Sequence, residues 1–304
     1  MAKADAASTR RSLNALVTGG SGFVGSAVVA ELIRRGHHVV ATSRMLSTRL
    51  PVASNLRWAV WDARREPLPS LDWSTLQVVV HLAVPRKPFL FPEHASSMYE
   101  VIVASTFRLL EAARINGVRR VLIASTGDTL GPRDRPASED DVEYMPGTFY
   151  ASAKACAEIL TRSYQSVIPT AILRLYHPYG PGGDQFLVNR LVRSVAEGRE
   201  VTIEGVDGIT LDPVWIDDLA EGVGLAVESD ATGIFHFAGP ETLTLRALLG
   251  RIGTIVNRAP LVRTRPSSVA RHHAGEFEQT RRTLGYRPRT SLGVGLRRLI
   301  TAAQ

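Results

Sequence analysis

The stretch LNALVTGGSGFVGSAVVAELIRRG, residues 13–36, decides the fold. Its apolar start, Ala15 to Thr18, predicts a buried strand, and the apolar periodicity further on predicts a helix over Ser26–Arg35. Between them stand Gly19, Gly22 and Gly25, each with its own physical reason. The first lets the chain turn sharply off the strand. The second leaves room for a pyrophosphate to approach the backbone, and the third lets the helix pack closely on the sheet. The helix N-terminus then offers unpaired N–H groups and the positive end of its dipole to phosphates. A lone glycine triplet would be weak evidence against a merely structural turn. With a strand before it and a helix after it, the triplet reads as a dinucleotide site.

Outward from this unit, apolar runs recur at Ala15–Thr18, His38–Ser43, Leu56–Asp62, Val78–Leu82, Val121–Ser125 and Ala171–Leu175. Longer helical stretches, His94–Asn116 and Tyr150–Ser166, fall between later runs. Continuous apolar strands alternating with helices predict an α/β fold, a Rossmann-type doubly wound parallel sheet covered on both faces. After Arg174 the rhythm breaks into the Pro- and Gly-rich LRLYHPYGPGGD, a helix over Gln185–Gly198, a short strand over Glu200–Glu204 and small helices from Glu241. The expected division is a nucleotide-binding core over 13–175 with a return segment near 211–240. A smaller C-terminal substrate-binding lobe covers 176–210 and 241–304, and 1–12 is a flexible leader.

Composition narrows the class. The chain has 304 residues, 44% hydrophobic, enough for a large core. No apolar run is long enough to span a bilayer, and the N-terminal MAKADAASTRRS lacks a signal-peptide core. With Cys156 as the single cysteine, no intrachain disulfide can form, which fits a cytoplasmic location. The formal charge of +7 raises nucleic acid as a partner. The arginines are scattered in pairs, however, and no basic stripe interleaves with aromatics, so neither nucleic acid nor membrane is expected. The 8 histidines show no metal-ligand spacing; His37-His38 and His272-His273 read as solvated or capping pairs. Cys156 reads as a small buried hydrophobe.

Tyr150 and Lys154 stand four apart on a predicted helix, so they share one face. A tyrosine is a poor base at neutral pH. A lysine cation and a nicotinamide positive charge beside it favour phenolate, and Tyr150 can then exchange a proton with a carbinol or carbonyl oxygen. The chain has only three lysines, so chance predicts about 0.07 Tyr-x-x-x-Lys pairs among its 7 tyrosines.

The string TGGSGFVG resembles the TGxxGxxG fingerprint of the short-chain dehydrogenase/reductase superfamily. Phe23 and Val24, between the last two glycines, resemble its extended, epimerase/dehydratase-like branch. The resemblance runs through most of the chain. VLIASTGDTLG, residues 121–131, is similar to the pattern S-S/T-x-x-V-Y-G and puts Thr126 at the catalytic Ser/Thr position beside Tyr150 and Lys154, with Ser125 as the neighbouring candidate. His81-Leu82-Ala83 resembles H-L-A-A, where Leu82 and Ala83 would line the cofactor and Val84, replacing the second alanine, would face substrate. Asp62-Ala63 resembles the acidic position that binds the adenine amino group. Leu173 through Gly182, including Tyr176, resembles L-R-x-x-N-x-Y-G-P, which closes over the nicotinamide. Trp215-Ile216-Asp217-Asp218 resembles a late V-D-D motif. The resemblance also implies a homodimer through the two long helices.

The end of the second strand bears on the cofactor. An NAD-preferring site places a carboxylate there, whereas this chain has Ser43 and Arg44, which suit a 2′-phosphate. NADP is favoured, and NAD remains the alternative. Departures bear on the reaction. Sugar dehydratases resemble S-T-D-E-V-Y-G; here Gly127 cannot donate a proton, although Asp128 remains. The arginine that often precedes the late motif is replaced by Leu211, with Arg190, Arg193 or Arg271 as possible substitutes. His177 stands where epimerases commonly have asparagine and is a candidate substrate contact. Three functions stay open. The first is hydride transfer at a carbinol or ketone carbon of a sugar nucleotide or related small molecule. The second is NADPH-dependent reduction of a non-sugar ketone. The third is a non-catalytic cofactor-sensing or RNA-binding module.

Overall fold

The computed structural model describes residues 12–46, 50–65, 68–86, 90–266 and 272–302. The leader through residue 11 and Arg271 lie outside the described residues. The chain begins β1 (Asn14–Thr18), α1 (Phe23–Arg34), β2 (His38–Ser43), β3 (Leu56–Val60) and β4 (Val78–His81). It continues through α2 (Ala95–Met98), a π-helical segment over Tyr99–Ala104, α3 (Ser105–Ile115), β5 (Arg120–Thr126), α4 (Phe149–Tyr164) and β6 (Thr170–Leu175). The second half adds β7 (Pro178–Tyr179), α5 (Leu187–Ala196), β8 (Val201–Glu204), β9 (Thr210–Leu211), β10 (Val214–Trp215), α6 (Ile216–Glu228) and β11 (Gly233–Phe237). It closes with β12 (Leu243–Thr244), α7 (Leu245–Val256), β13 (Val262–Arg265), β14 (His272–His273), α8 (Glu278–Leu284) and α9 (Leu292–Thr301).

Seven strands form one parallel sheet in the order β11-β6-β5-β4-β1-β2-β3. Strand alternation buries both faces. Ala15, Val17, Val78, Val80 and Leu122 face one apolar cluster, while Leu16, Val79, Val121 and Ile123 face the other. The chain runs outward from β1 to β3, then returns to β4 on the other side. That reversal opens a crevice beyond the C-terminal ends of β1 and β4, where α/β sheets bind their ligands. Gly19 lies there with φ +70°, and a Cβ on it would come within 2.8 Å of the Ala83 Cα, so only glycine fits.

The long helix expected over 94–116 is interrupted by the π-helical turn. The two-residue strands of the second half and the five-residue β11 are additions to the sequence reading. Two minor expectations are corrected. Cys156 is exposed, because two residues past Lys154 is 200° around α4, on the far side from the buried face. His37 is fully buried, its Nδ1 accepting from the Leu13 N–H, rather than solvated.

Candidate active site

The nucleotide cradle is built by β1, α1 and the end of β4. Gly22 caps α1 without a side-chain hydrogen bond, so the first-turn N–H groups are not taken by a capping side chain. Gly25 lies so close to Gly19 that a Cβ would meet the Gly19 carbonyl oxygen at 2.1 Å. Phe23 packs on Phe186, ring centroids 4.8 Å apart, and Val24 turns into the core. Leu82 and Ala83 are buried at the cradle wall, while Val84 is exposed. These features fit the pyrophosphate of a dinucleotide: a turn without side chains, a backbone that can be approached closely, and a helix N-terminus.

At the edge of the crevice the Ser43 hydroxyl donates to the Met45 carbonyl at 2.8 Å and lies 3.1 Å from the Ser21 hydroxyl. Arg44, next in line, is exposed. Asp62 is held by Arg64, which donates from Nη2 at 2.6 Å and from its own backbone N–H. The Arg64 hydrogen bond lowers the Asp62 carboxyl below its usual range. The Ala63 carbonyl accepts from Arg108.

The catalytic candidates come from β5, α4 and the segment after β6. The Thr148 side chain caps α4 and starts the helix that carries Tyr150 and Lys154. Lys154 is buried, and its Nζ donates to the Ala124 carbonyl at 2.7 Å. Burial lowers its pKa to about 8, against the opposing pull of Glu158. Burial also raises the Tyr150 phenol above its usual value, and the Asp128 carboxylate adds to the rise. This environment favours the protonated phenol.

The two strand-end hydroxyls differ in their company. The buried Ser125 hydroxyl donates to the Glu158 carboxylate. Thr126 is half-buried, and its Oγ1 accepts from the Asp128 N–H at 3.3 Å. Glu158, absent from the sequence reading, is the hub behind the site. Fully buried, it also accepts from Thr129, from Tyr144 and from Nε and Nη2 of the equally buried Arg174. It sits one helical turn past Lys154, a spacing that sequence alone leaves indistinguishable from an ordinary surface pair.

Tyr176 is enclosed rather than open to the crevice. A Cβ on Gly127 would stand 2.2 Å from its Cε1, and one on Gly275 2.4 Å from its Cζ, so the ring is wedged between two glycines. His177 adopts φ +42°, a left-handed conformation uncommon outside glycine and asparagine. Its Nε2 lies 2.9 Å from the His273 carbonyl oxygen. His273, expected to be solvated, instead approaches Asp128, Nδ1 to Oδ1 at 3.3 Å. Leu211 is buried on β9, and Arg193 pairs with Asp184 at 3.0 Å. In the late motif, Asp218 accepts from the backbone N–H groups of Arg289 and Thr290, a tie to the C-terminal segment.

Residues 15–236 match the NAD dependent epimerase/dehydratase family. The chain belongs to that family and is an enzyme of the extended short-chain dehydrogenase/reductase type. It is 26% identical to UDP-glucuronic acid decarboxylase 1 of Arabidopsis thaliana, over 96% of this chain and 70% of that protein. It is 30% identical to 3-diazoavenalumate denitrifying reductase of a Streptomyces species, over 92% of this chain and 95% of that one. Among solved structures, MoeE5 in complex with UDP-glucuronic acid and NAD superposes with a TM-score of 0.80 at 27% identity, covering 95% of this chain and 98% of the other.

Proposed function

We propose that the chain is an NAD(P)-dependent oxidoreductase of the epimerase/ketoreductase type, acting at a carbinol or ketone carbon of a sugar nucleotide or a related small molecule. The observation that supports this reading is Tyr150 and Lys154 one helical turn apart on α4, with the Lys154 Nζ bound to the Ala124 carbonyl two residues before Thr126 on β5. A bound nicotinamide supplies the hydride acceptor or donor. Thr126 then orients the substrate oxygen, Tyr150 exchanges its proton, and Lys154, anchored on the Ala124 carbonyl, fixes charge below the phenol. Gly19, Gly22, Phe23, Gly25, Leu82 and Ala83 are assigned to the cofactor. Val84, Asp128 and His177 are assigned to the substrate side. Ser125 supports the site through Glu158.

NADP is preferred over NAD in this proposal, because a serine and an exposed arginine replace the carboxylate at the end of β2. Dehydration is disfavoured, since the Tyr176 ring fills the space that a side chain at position 127 would need.

A second reading, net reduction of a non-sugar ketone, is favoured by Leu211, an apolar buried residue where an arginine could grip a diphosphate. It draws further support from the similarity to a reductase at 30% identity.

The test is Tyr150→Phe, assayed with NADPH and NADH against UDP-glucuronic acid, UDP-glucose and a short 3-oxo acid. We expect turnover of the accepted compound to fall by at least about 1000-fold, with cofactor affinity nearly unchanged. Wild-type turnover in that variant would remove Tyr150 from the chemistry.

A further inference from the structure

A second arginine stands at the edge of the crevice beside Arg44. Strands β2 and β3 run side by side with Ser43 opposite Val60, and the Trp61 N–H donates to the Ser43 carbonyl at 2.9 Å. The residues after the two strands therefore emerge together, Arg44 from one and Asp62 to Arg65 from the other. The second segment is a turn fixed from two sides. The Arg65 N–H donates to the Asp62 carbonyl at 2.9 Å, and Arg108 on α3 donates to the Ala63 carbonyl at 2.6 Å. Within this turn the Arg64 guanidinium folds back onto the Asp62 carboxylate. Its Nε donates to Oδ1 at 3.0 Å and to Oδ2 at 3.1 Å, and its Nη2 donates to Oδ2 at 2.6 Å. The Arg64 backbone N–H donates to Oδ1 as well, at 3.1 Å.

Both carboxylate oxygens are thus in use, in a position where the family resemblance expects an acceptor for the adenine amino group. A guanidinium and an exocyclic amine are both N–H donors, and they compete for the same lone pairs. The pair they compete over is open to water, with the Arg64 side chain 46% and the Asp62 side chain 21% exposed. Exposed ion pairs of this kind hold weakly. The carboxylate belongs to an anchored turn, whereas the guanidinium rides on a long, flexible stem.

We propose that Arg64 is a displaceable latch: the adenine amino group takes its place on Asp62, and the released guanidinium joins Arg44 on the 2′-phosphate of NADP. This rests on the NADP preference proposed above. The exchange is favourable at both ends. Asp62 trades one N–H donor for another and stays hydrated. Arg64 trades a weakly held carboxylate for a phosphate, which a guanidinium grips with paired, charge-assisted hydrogen bonds. Adenine and phosphate are then read together, and Arg64 is a specificity-determining residue. Ser21 and Ser43 are neutral hydroxyls at the same edge and cannot supply this second charge. Arg108 cannot supply it either, being engaged with the Ala63 carbonyl.

The test is isothermal titration calorimetry of nucleotide-free protein with NADPH and with NADH, in wild type, Arg64→Gln and Asp62→Asn. Arg64→Gln should weaken NADPH about tenfold and bind NADH no more weakly than wild type, so that the preference narrows. Asp62→Asn frees Arg64 while keeping an acceptor for the amine, and should leave the preference at least as wide as in wild type. A loosened turn would instead weaken both cofactors alike in both variants. An unchanged ratio of NADPH to NADH affinity in Arg64→Gln, or equal weakening of the two cofactors, overturns the latch and leaves Ser43 and Arg44 as the reading groups. A wild type that binds both cofactors equally fails the NADP preference itself, and the latch falls with it.

Discussion

Lys154 is an ammonium held almost out of reach of water, and it illustrates how burial and function compete on one side chain. Its pKa is lowered from 10.5 to about 8, so the unfolded chain binds more protons between those values. The resulting cost to stability is present in full below about pH 8 and fades as the pH rises toward 10.5. The cost is about 3 kcal/mol, offset by about 1 kcal/mol from the hydrogen bond to Ala124. Lys154→Met should therefore melt about 3–6 °C higher than wild type at neutral pH, lose most turnover, and lose its thermal advantage near pH 10.5. Scanning calorimetry at the two pH values checks this. Glu158 behaves oppositely. Glu158→Gln leaves Arg174 buried without its counter-charge and should cost about 3–5 kcal/mol in urea unfolding. The replacement of both partners by Leu and Met should cost less than the single change. Tyr150 and Lys154 are legible in sequence because four residues on a helix fix their relation locally. Glu158 and His273 are not, because their partners arrive from strands and loops far along the chain.

Among elements, the informative contact is the wedge of Tyr176 between Gly127 and Gly275. It locks the 3₁₀ turn Gly127–Leu130, which follows β5, to the C-terminal segment, and it explains physically why position 127 is glycine. Gly127→Ala should destabilise the fold by about 1–3 kcal/mol through overpacking. Combining it with Tyr176→Ala should cost less than the sum of the two single changes, as a double-mutant cycle of denaturation midpoints would reveal. Six strands of the seven-stranded sheet, β1 to β6, are legible from their apolar runs and from the glycine turn after β1, whereas β11 is not. Strands β9, β12 and β14 are only two residues each, too short for any alternation, and they form because packed neighbours supply their partners. The π-helical turn at Tyr99–Ala104 likewise leaves no mark on the apolar periodicity. His177 shows the limit of reasoning by residue type: its ring is read as a substrate contact, but its backbone conformation and its hold on His273 depend on the tertiary fold.

At the scale of the molecule, α3 and α4 pack together and leave Phe107, Ile159 and Cys156 exposed on their outer faces. An apolar surface of this kind suits a partner copy, and a homodimer through these helices is our proposal. Phe107→Asp with Ile159→Asp should halve the mass seen by light scattering without changing the circular dichroism spectrum; an unchanged mass would place the subunit contact elsewhere. No helix among the described residues is long and apolar enough to cross a membrane.

The proposed function requires a dinucleotide held in the cradle of Gly19, Gly22 and Gly25 and read by Ser43 and Arg44 at its edge. The most direct measurement frees the purified protein of any bound nicotinamide, then titrates wild type and Arg44→Asp with NADPH and NADH. We expect wild type to bind both, NADPH at least tenfold more tightly, and Arg44→Asp to lose that preference, since a phosphate–guanidinium contact contributes on the order of 1.5–3 kcal/mol. Failure of the wild type to bind either dinucleotide would contradict the proposed function.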